Sequence, residues 1–229
     1  MKRFCVFCQN DLITPFISDE KNYFRCEYCG GVFINPGLRL SFENEKDRYL
    51  LHNNSLSDVG YISYLDRFWS GIISFLSESK LNKNTLISIL DWGSGPEPCF
   101  ANFLRGKGFI VTIYDPFFSP ELPKKGVLFD CITCIEVVEH FFDPILNFLL
   151  ISSYLKEGGL LAVSTHLLPS DKNAFDSWWY RQDSTHVSFY TEKSLQLLAE
   201  RSGLILLGYS GNHTWVFKKR ASFLPALPL

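Results

Sequence analysis

Three stretches of the chain combine residue types and spacings that can do chemistry. Cys5, Cys8, Cys26 and Cys29 read C-x2-C-x17-C-x2-C. Zinc bound by four thiolates requires two tight turns that each present two sulfurs, and this spacing supplies both, with Gly30 and Gly31 easing the second. The competing reading is four reduced cysteines without metal. Cys131 and Cys134 repeat the C-x2-C spacing inside an apolar run. Positions three apart in a strand face opposite sides, so these two are expected in the core rather than on a metal. Cys99 has no partner in sequence, and the odd total of seven argues against a secreted disulfide framework.

The second stretch is EVVEH, with Glu136, Glu139 and His140 directly after the apolar run FDCITCI. His140 has the chemistry of a general base that takes a proton from a hydroxyl, or of a group that only orients a substrate. Glu136 and His140 stand four apart, and Glu139 with the distant His186 would complete a divalent-metal site. Helix-capping acids beside a buried histidine are the plainer alternative. FDSWWYRQDSTHVSFYT, residues 175–191, supplies His186 and a cluster of aromatics. Trp178, Trp179 and Tyr180 suit a lid or a stacking surface for a planar substrate, with Arg181 and His186 as polar contacts. Packing against the rest of the protein explains the same rings equally well. His140 and His186 are the candidate catalytic residues, and Tyr49, His52 and Asn53 are placed to act as a flap.

The third stretch is ISILDWGSGPEP, residues 87–98, an apolar run that ends in Gly-x-Gly. A dinucleotide fingerprint needs a third glycine and free backbone amides facing a pyrophosphate. Here that glycine is missing, Pro96 and Pro98 remove amide donors, and Asp91 and Glu97 would repel a phosphate. A cationic ligand without phosphate fits the same turn, with Gly93 and Gly95 allowing close approach. Asp115 lies 20 residues past Gly95 and has the chemistry to accept both hydroxyls of a ribose.

These residues need a scaffold that gathers them. Short apolar runs alternate with helical patterns from Leu86 onward, which is the signature of βαβ units and a mostly parallel sheet. Strands are expected over 86–91, 109–114, 129–135, 159–165, 204–210 and 213–219, and helices over 98–107, 143–156 and 191–202. The last two strands form an antiparallel hairpin around Ser210, Gly211 and Asn212. The glycine turn, EVVEH and the aromatic segment then fall at the carboxyl edge, where open α/β sheets bind ligands. Upstream, a charged helix to about 52 precedes a packed helix over 58–79 with apolar residues at helical spacing. The expected organisation is a zinc ribbon over 1–36, a helical linker and lid over 37–85, a catalytic domain over 86–220 and a proline-rich tail over 221–229. Net charge is −2, so no basic field draws nucleic acid to the whole surface. Lys2 and Arg3 lead straight into FCVFC, and ILNFLLISSYL is too short to span a bilayer, which predicts a cytoplasmic protein.

ILDWGSGPEP, YDP, FDCITCIEVVEH and KEGGLLAVST stand in the order and spacing of the class I S-adenosylmethionine-dependent methyltransferases, which residues 86–220 resemble. EVVEH followed by HVSFYTEKSLQLLAERSGL is similar to the subgroup that includes the ubiquinone-biosynthesis O-methyltransferases. The resemblance implies a doubly wound, Rossmann-like sheet of seven strands. It further implies cofactor contacts at Asp91, Gly93, Gly95, Asp115, Pro116 and Glu136, with Glu136 near the methionyl part and His140 toward the substrate. Only about a dozen residues separate Asp115 from Phe129, so one helix and one strand of the seven must be short or absent. The expected activity is methyl transfer to a small molecule or a sugar- or lipid-linked acceptor. Glu136, Glu139, His140 and His186 are also similar to the metal-binding set of small-RNA 2'-O-methyltransferases, which makes a metal-assisted RNA enzyme the alternative. A non-enzymatic partner-binding ribbon protein is the third.

Overall fold

The computed structural model describes residues 3–18, 21–51, 54–78, 87–211 and 213–221. The proposed flap residues His52 and Asn53, turn residue Asn212 and tail residues 222–229 lie outside the described residues. The N-terminal segment forms β1 (Ile13–Ser18), β2 (Lys21–Cys26) and β3 (Val32–Ile34), which pair antiparallel in that order. Two helices follow. α1 (Phe42–Tyr49) is capped by the Ser41 hydroxyl, and α2 (Val59–Glu78) is longer and strongly amphipathic.

The second sheet contains β4 (Ser88–Trp92), β5 (Ile110–Tyr114), β6 (Phe129–Ile135), β7 (Leu155–Ser164), β9 (Leu204–Tyr209) and β10 (Thr214–Lys219). Its order is β5-β4-β6-β7-β10-β9, with the first four strands parallel and β10 antiparallel to both neighbours. The crossovers are α3 (Cys99–Gly106), from β4 to β5, and α4 (Pro144–Ser153), from β6 to β7. α5 (Lys172–Asp176), β8 (Ser188–Phe189) and α6 (Glu192–Arg201) complete the order. The sheet has six strands rather than seven: residues 116–127 connect β5 to β6 without helix or strand, too few to hold a further strand with its own crossover helix. α4 ends three residues earlier than the pattern 143–156 suggests, because Tyr154 caps it and its carbonyl already accepts from Phe129 N.

Both faces of the six-stranded sheet are covered, so β6 is buried almost throughout. On one face Leu65, Phe68, Trp69 and Ile72 of α2 pack with α3 residues onto Ile89, Cys131 and Val216. On the other, Cys134 and Leu90 meet residues of α4 and α6. Cys131 and Cys134 thus enter opposite cores, as period-2 geometry requires. Fully burying one such apolar side chain stabilises by roughly 1.5–3 kcal/mol, which is what holds α2 to the sheet.

The cysteine-bearing segment is fastened to this core. β3 pairs with β8, which extends the small sheet with a strand from the C-terminal half. Thr191 Oγ1 donates to Cys29 O at 2.6 Å, and Arg201 donates to Cys8 O at 2.6 Å. Phe7 lies between Phe33 and Tyr190, with ring centroids 6.1 and 5.1 Å away.

Candidate active site

A cavity of about 1010 Å3 opens at the carboxyl ends of β4, β5 and β6. Its floor is the turn after β4. Gly93 and Gly95 adopt φ of +80° and +69°, conformations natural only to glycine. A Cβ on Gly93 would fall 2.4 Å from Val137 Cγ2, whereas one on Gly95 would meet nothing within 4 Å. Gly93 therefore permits packing, and Gly95 keeps space open along the cavity it lines. Asp115 spans this turn: Oδ2 accepts from Gly95 N at 2.9 Å, and Oδ1 accepts from Phe117 N and Phe118 N at 2.8 and 3.1 Å. Asp115, expected from the sequence to accept from a ribose, thus organises the loop that carries Pro116. Asp91 is 3% exposed and accepts from Thr133 Oγ1 at 3.1 Å.

β6 delivers the remaining acids. Glu136 has φ of +52°, a left-handed conformation that costs a non-glycine residue on the order of 1 kcal/mol or more and clusters at functional sites. Its Oε1 accepts from Ser164 Oγ at 2.8 Å, and Ser164 accepts from the Tyr64 hydroxyl at 3.0 Å. Glu139, His140 and His186 come together, with one ligand-capable atom of each within 4.8 Å of the others. Glu136 stays outside that trio. His140 Nδ1 lies 3.0 Å from Thr185 O, and His186 Nδ1 lies 2.6 Å from Tyr180 O. A carbonyl can only accept, so each Nδ1 carries the proton and each Nε2 the basic lone pair. Glu139 is fully buried, and neither carboxylate oxygen accepts a well-formed hydrogen bond, although the hydroxyls of Tyr180 and Thr165 lie beside it.

α1 forms the roof. Arg48 donates to Asp183 Oδ2 at 2.7 Å, and Tyr49 sets its ring edge-on to His140, with centroids 5.2 Å apart. Phe42 stacks on Phe117 at 4.5 Å. Tyr49 also donates to Glu45, whose carboxyl is raised above its ordinary range by burial. Trp179 and Tyr180 line the cavity, but Trp178 and Arg181 do not. Trp178 packs with Phe175 and Phe189 beneath the small sheet, and Arg181 is 2% exposed, with its guanidinium donating to the carbonyls of Phe175 and Asp176. Both were expected to meet substrate; Trp178, which precedes the short 3-10 turn over Trp179–Gln182, and Arg181 within it point away from this cavity, while Trp179, Tyr180 and Gln182 line it.

Away from the cavity, the sulfurs of Cys5, Cys8, Cys26 and Cys29 lie within 4.8 Å of one another. Cys5 Sγ is 3.6 Å from Cys29 Sγ, and Cys8 Sγ is 3.7 Å from Cys26 Sγ. Tetrahedral zinc with bonds of about 2.3 Å places sulfurs about 3.8 Å apart, so the set fits. Phe7 N and Cys29 N point at Cys5 Sγ and Cys26 Sγ at 3.4 and 3.5 Å, donors that steady thiolate charge.

With this geometry in place, a family model described as a methyltransferase domain matches residues 61–207, more than half of the chain. The chain belongs to the methyltransferase domain family. It is an S-adenosylmethionine-dependent methyltransferase with the Rossmann-like fold. No curated protein matches it. Solved structures similar to this methyltransferase include the plantazolicin methyltransferase BpumL bound to a pentazolic desmethyl analogue and S-adenosylhomocysteine, at 14% identity over 78% of this chain and 98% of that one, with a TM-score of 0.45. CalO1, a methyltransferase in calicheamicin biosynthesis bound to S-adenosylhomocysteine, aligns at 13% identity over 67% of this chain and 54% of that one, TM-score 0.45. The YcgJ protein of Bacillus subtilis aligns at 19% over 59% and 68%, TM-score 0.43. Among the described residues, no helix is long and apolar enough to cross a membrane.

In this methyltransferase the cavity carboxylates are electrostatically poised. Burial pushes Asp91 up to about 7, and burial also raises Glu136. Glu139 is held well above the carboxylate range by burial and then by Glu136. A cation entering the cavity would relieve Asp91 and Glu136, which line it, while Glu139 lies behind the lining. Sequence reasoning overlooked Arg48, Asp183, Phe117 and Ser164. Only Tyr49 of charged α1 and Pro116 of the loop 116–127 were singled out, because the rest of these two segments carries no motif or periodicity.

Proposed function

We propose that the methyltransferase transfers a methyl group from S-adenosylmethionine to a hydroxyl of a small-molecule or sugar- or lipid-linked acceptor, and that a structural zinc occupies the four cysteines. The observation that carries this reading is the Nδ1 contact of His140 with Thr185 O, which leaves Nε2 as the basic nitrogen at the cavity wall. Gly93, Gly95, Asp91, Asp115, Pro116 and Glu136 would hold the cofactor. The turn favours it over a dinucleotide because the ammonium and sulfonium are cations facing carboxylates, and no phosphate is required. When bound, the cofactor supplies an electrophilic methyl group. Within the chain, Asp115 holds a ribose in register, and Asp91 and Glu136 balance positive charge. Trp179, Tyr180 and Tyr49 exclude water and orient the acceptor. His140 Nε2 then takes the acceptor's proton, and Thr185 O and the edge of Tyr49 keep the ring aimed as it becomes charged. S-adenosylhomocysteine bound in relatives CalO1 and BpumL agrees with this choice of cofactor. Calorimetric titration with S-adenosylhomocysteine tests it, with micromolar binding expected and no binding overturning it.

A second reading concerns the wall itself. Two histidines with Nδ1 anchored on carbonyls and one buried carboxylate without a well-formed partner are the makings of a divalent-metal site. In that case the Nε2 atoms of His140 and His186 serve as ligands, and the acceptor hydroxyl is acidified instead of meeting a base. Metal analysis of protein whose four cysteines are zinc-loaded separates the two: a second bound metal per chain, lost in Glu139→Gln, favours this reading, and zinc alone favours the base.

A further inference from the structure

A second cavity, of about 400 Å3, lies between the end of β7 and the β9–β10 hairpin. His166, Trp178, Tyr209, His213 and Trp215 present aromatic rings to it, and Glu192 supplies the one formally charged side chain of its lining. His166 and His213 are stacked with centroids 3.7 Å apart and planes at 27°, and Tyr209 and Trp215 lie 4.9 Å apart. Burial lowers His166 to about 4 and lowers His213 as well, so both rings are neutral at pH 7. Lys193, beside Glu192, places its ammonium 4.1 Å from the Tyr28 ring on the cysteine-bearing segment, away from this lining.

The arrangement is built rather than incidental. His213 has φ of +57°, a strained conformation for a non-glycine residue. It is held there by His213 N donating to the Tyr209 hydroxyl at 2.9 Å and by Thr165 N donating to His213 O at 3.1 Å. Trp215 is 5% exposed, and its indole N–H has no partner. Ring faces carry negative quadrupole potential and attract cations, with a desolvated cation gaining most. A carboxylate at the rim adds Coulomb attraction, while no Lys or Arg of the lining meets an anion. Trp179 and Tyr180 line the larger cavity and pack on His166 at 5.3 and 4.8 Å, so these rings partition the two spaces.

We propose that this aromatic cavity is a binding site for an organic cation of the quaternary-ammonium class, separate from the methyl-transfer cavity. A volume of a few hundred Å3 suits a headgroup-sized ligand. The test uses the full chain with saturating S-adenosylhomocysteine, choline as probe and 3,3-dimethyl-1-butanol as its neutral isostere. Binding is read by calorimetry and by saturation transfer to the trimethylammonium protons. Choline is expected to bind about tenfold more tightly than the isostere, a factor within the range of a cation over aromatic faces. Glu192→Gln, at an exposed position that should leave folding intact, is expected to weaken choline severalfold while S-adenosylhomocysteine binding is unchanged. Equal binding of the isostere, no saturation transfer at tens of millimolar choline, no effect of Glu192→Gln, or displacement of choline by S-adenosylhomocysteine would each overturn the proposal.

Discussion

Ile34 and Val187 join the cysteine-bearing segment to the cavity wall: Ile34 N donates to Val187 O at 2.9 Å, and Val187 N donates to Glu139 O at 2.9 Å. Val187 follows His186 directly, so backbone order in the small sheet is passed through one residue to cavity-lining His186 and to buried Glu139. If zinc holds the four cysteines, its removal or Cys26→Ser should lower the melting temperature by many degrees and reduce kcat/KM for the acceptor more than tenfold. The Kd of S-adenosylhomocysteine should change by less than about threefold, because the turn after β4 and the loop after β5 are tied to each other through Asp115 and not to the small sheet. Thermal melts and calorimetry on zinc-loaded and chelated protein check this, and equal loss of both functions would refute it.

His140→Gln keeps a polar side chain of similar reach but cannot accept a proton near neutral pH. Under the general-base reading, kcat should fall by about 10²–10⁴, with cofactor affinity retained. Single-turnover rates measure this. A loss confined to KM would instead make His140 an orienting group.

With Asp91 as the proposed cofactor contact, binding should depend on pH. Its free-state pKa is raised to about 7, so below that pH the carboxyl is protonated and neutral. A cationic ligand favours the ionised form, and binding must therefore release a proton in this range and weaken as pH falls from 8 to 6. Calorimetry in buffers of different ionisation enthalpy reads the proton directly. Asp91→Asn should flatten the profile.

The two glycines of the turn should fail differently. Both need φ near +70° to +80°, which costs an alanine roughly 1–2 kcal/mol. Gly93→Ala adds a clash with Val137 and should lower the melting temperature markedly, whereas Gly95→Ala should cost less stability and lose cofactor affinity by tenfold or more. Thermal melts paired with S-adenosylhomocysteine titration distinguish them.

Arg48 and Asp183 tie the roof to the wall. Arg48 is a third exposed, so breaking the pair should cost less than about 1 kcal/mol of stability. Asp183 also accepts from Thr185 N and Oγ1, and Thr185 O holds His140. Asp183→Ala should therefore depress kcat beyond Arg48→Ala, which should chiefly raise KM. Steady-state kinetics of both variants and the double variant give the coupling.

The strands and helices of the catalytic half were legible because their signals are local. Period-2 and period-3.6 patterns, glycine turns and C-x2-C pairs are each set by a few neighbouring residues. Those signals determined the boundaries of β6 to the residue, the core placement of Cys131 and Cys134, and the short connection that removes a strand. Only the tertiary structure decided what sits beside what. Strand pairing of β3 with β8 joins residues more than 150 positions apart, Glu139 meets His186 through a loop without periodicity, and Trp178 and Arg181 turn away from the cavity that Trp179 and Tyr180 line. Non-local contacts of this kind depend on the packed arrangement of whole elements, and no window of sequence contains that information.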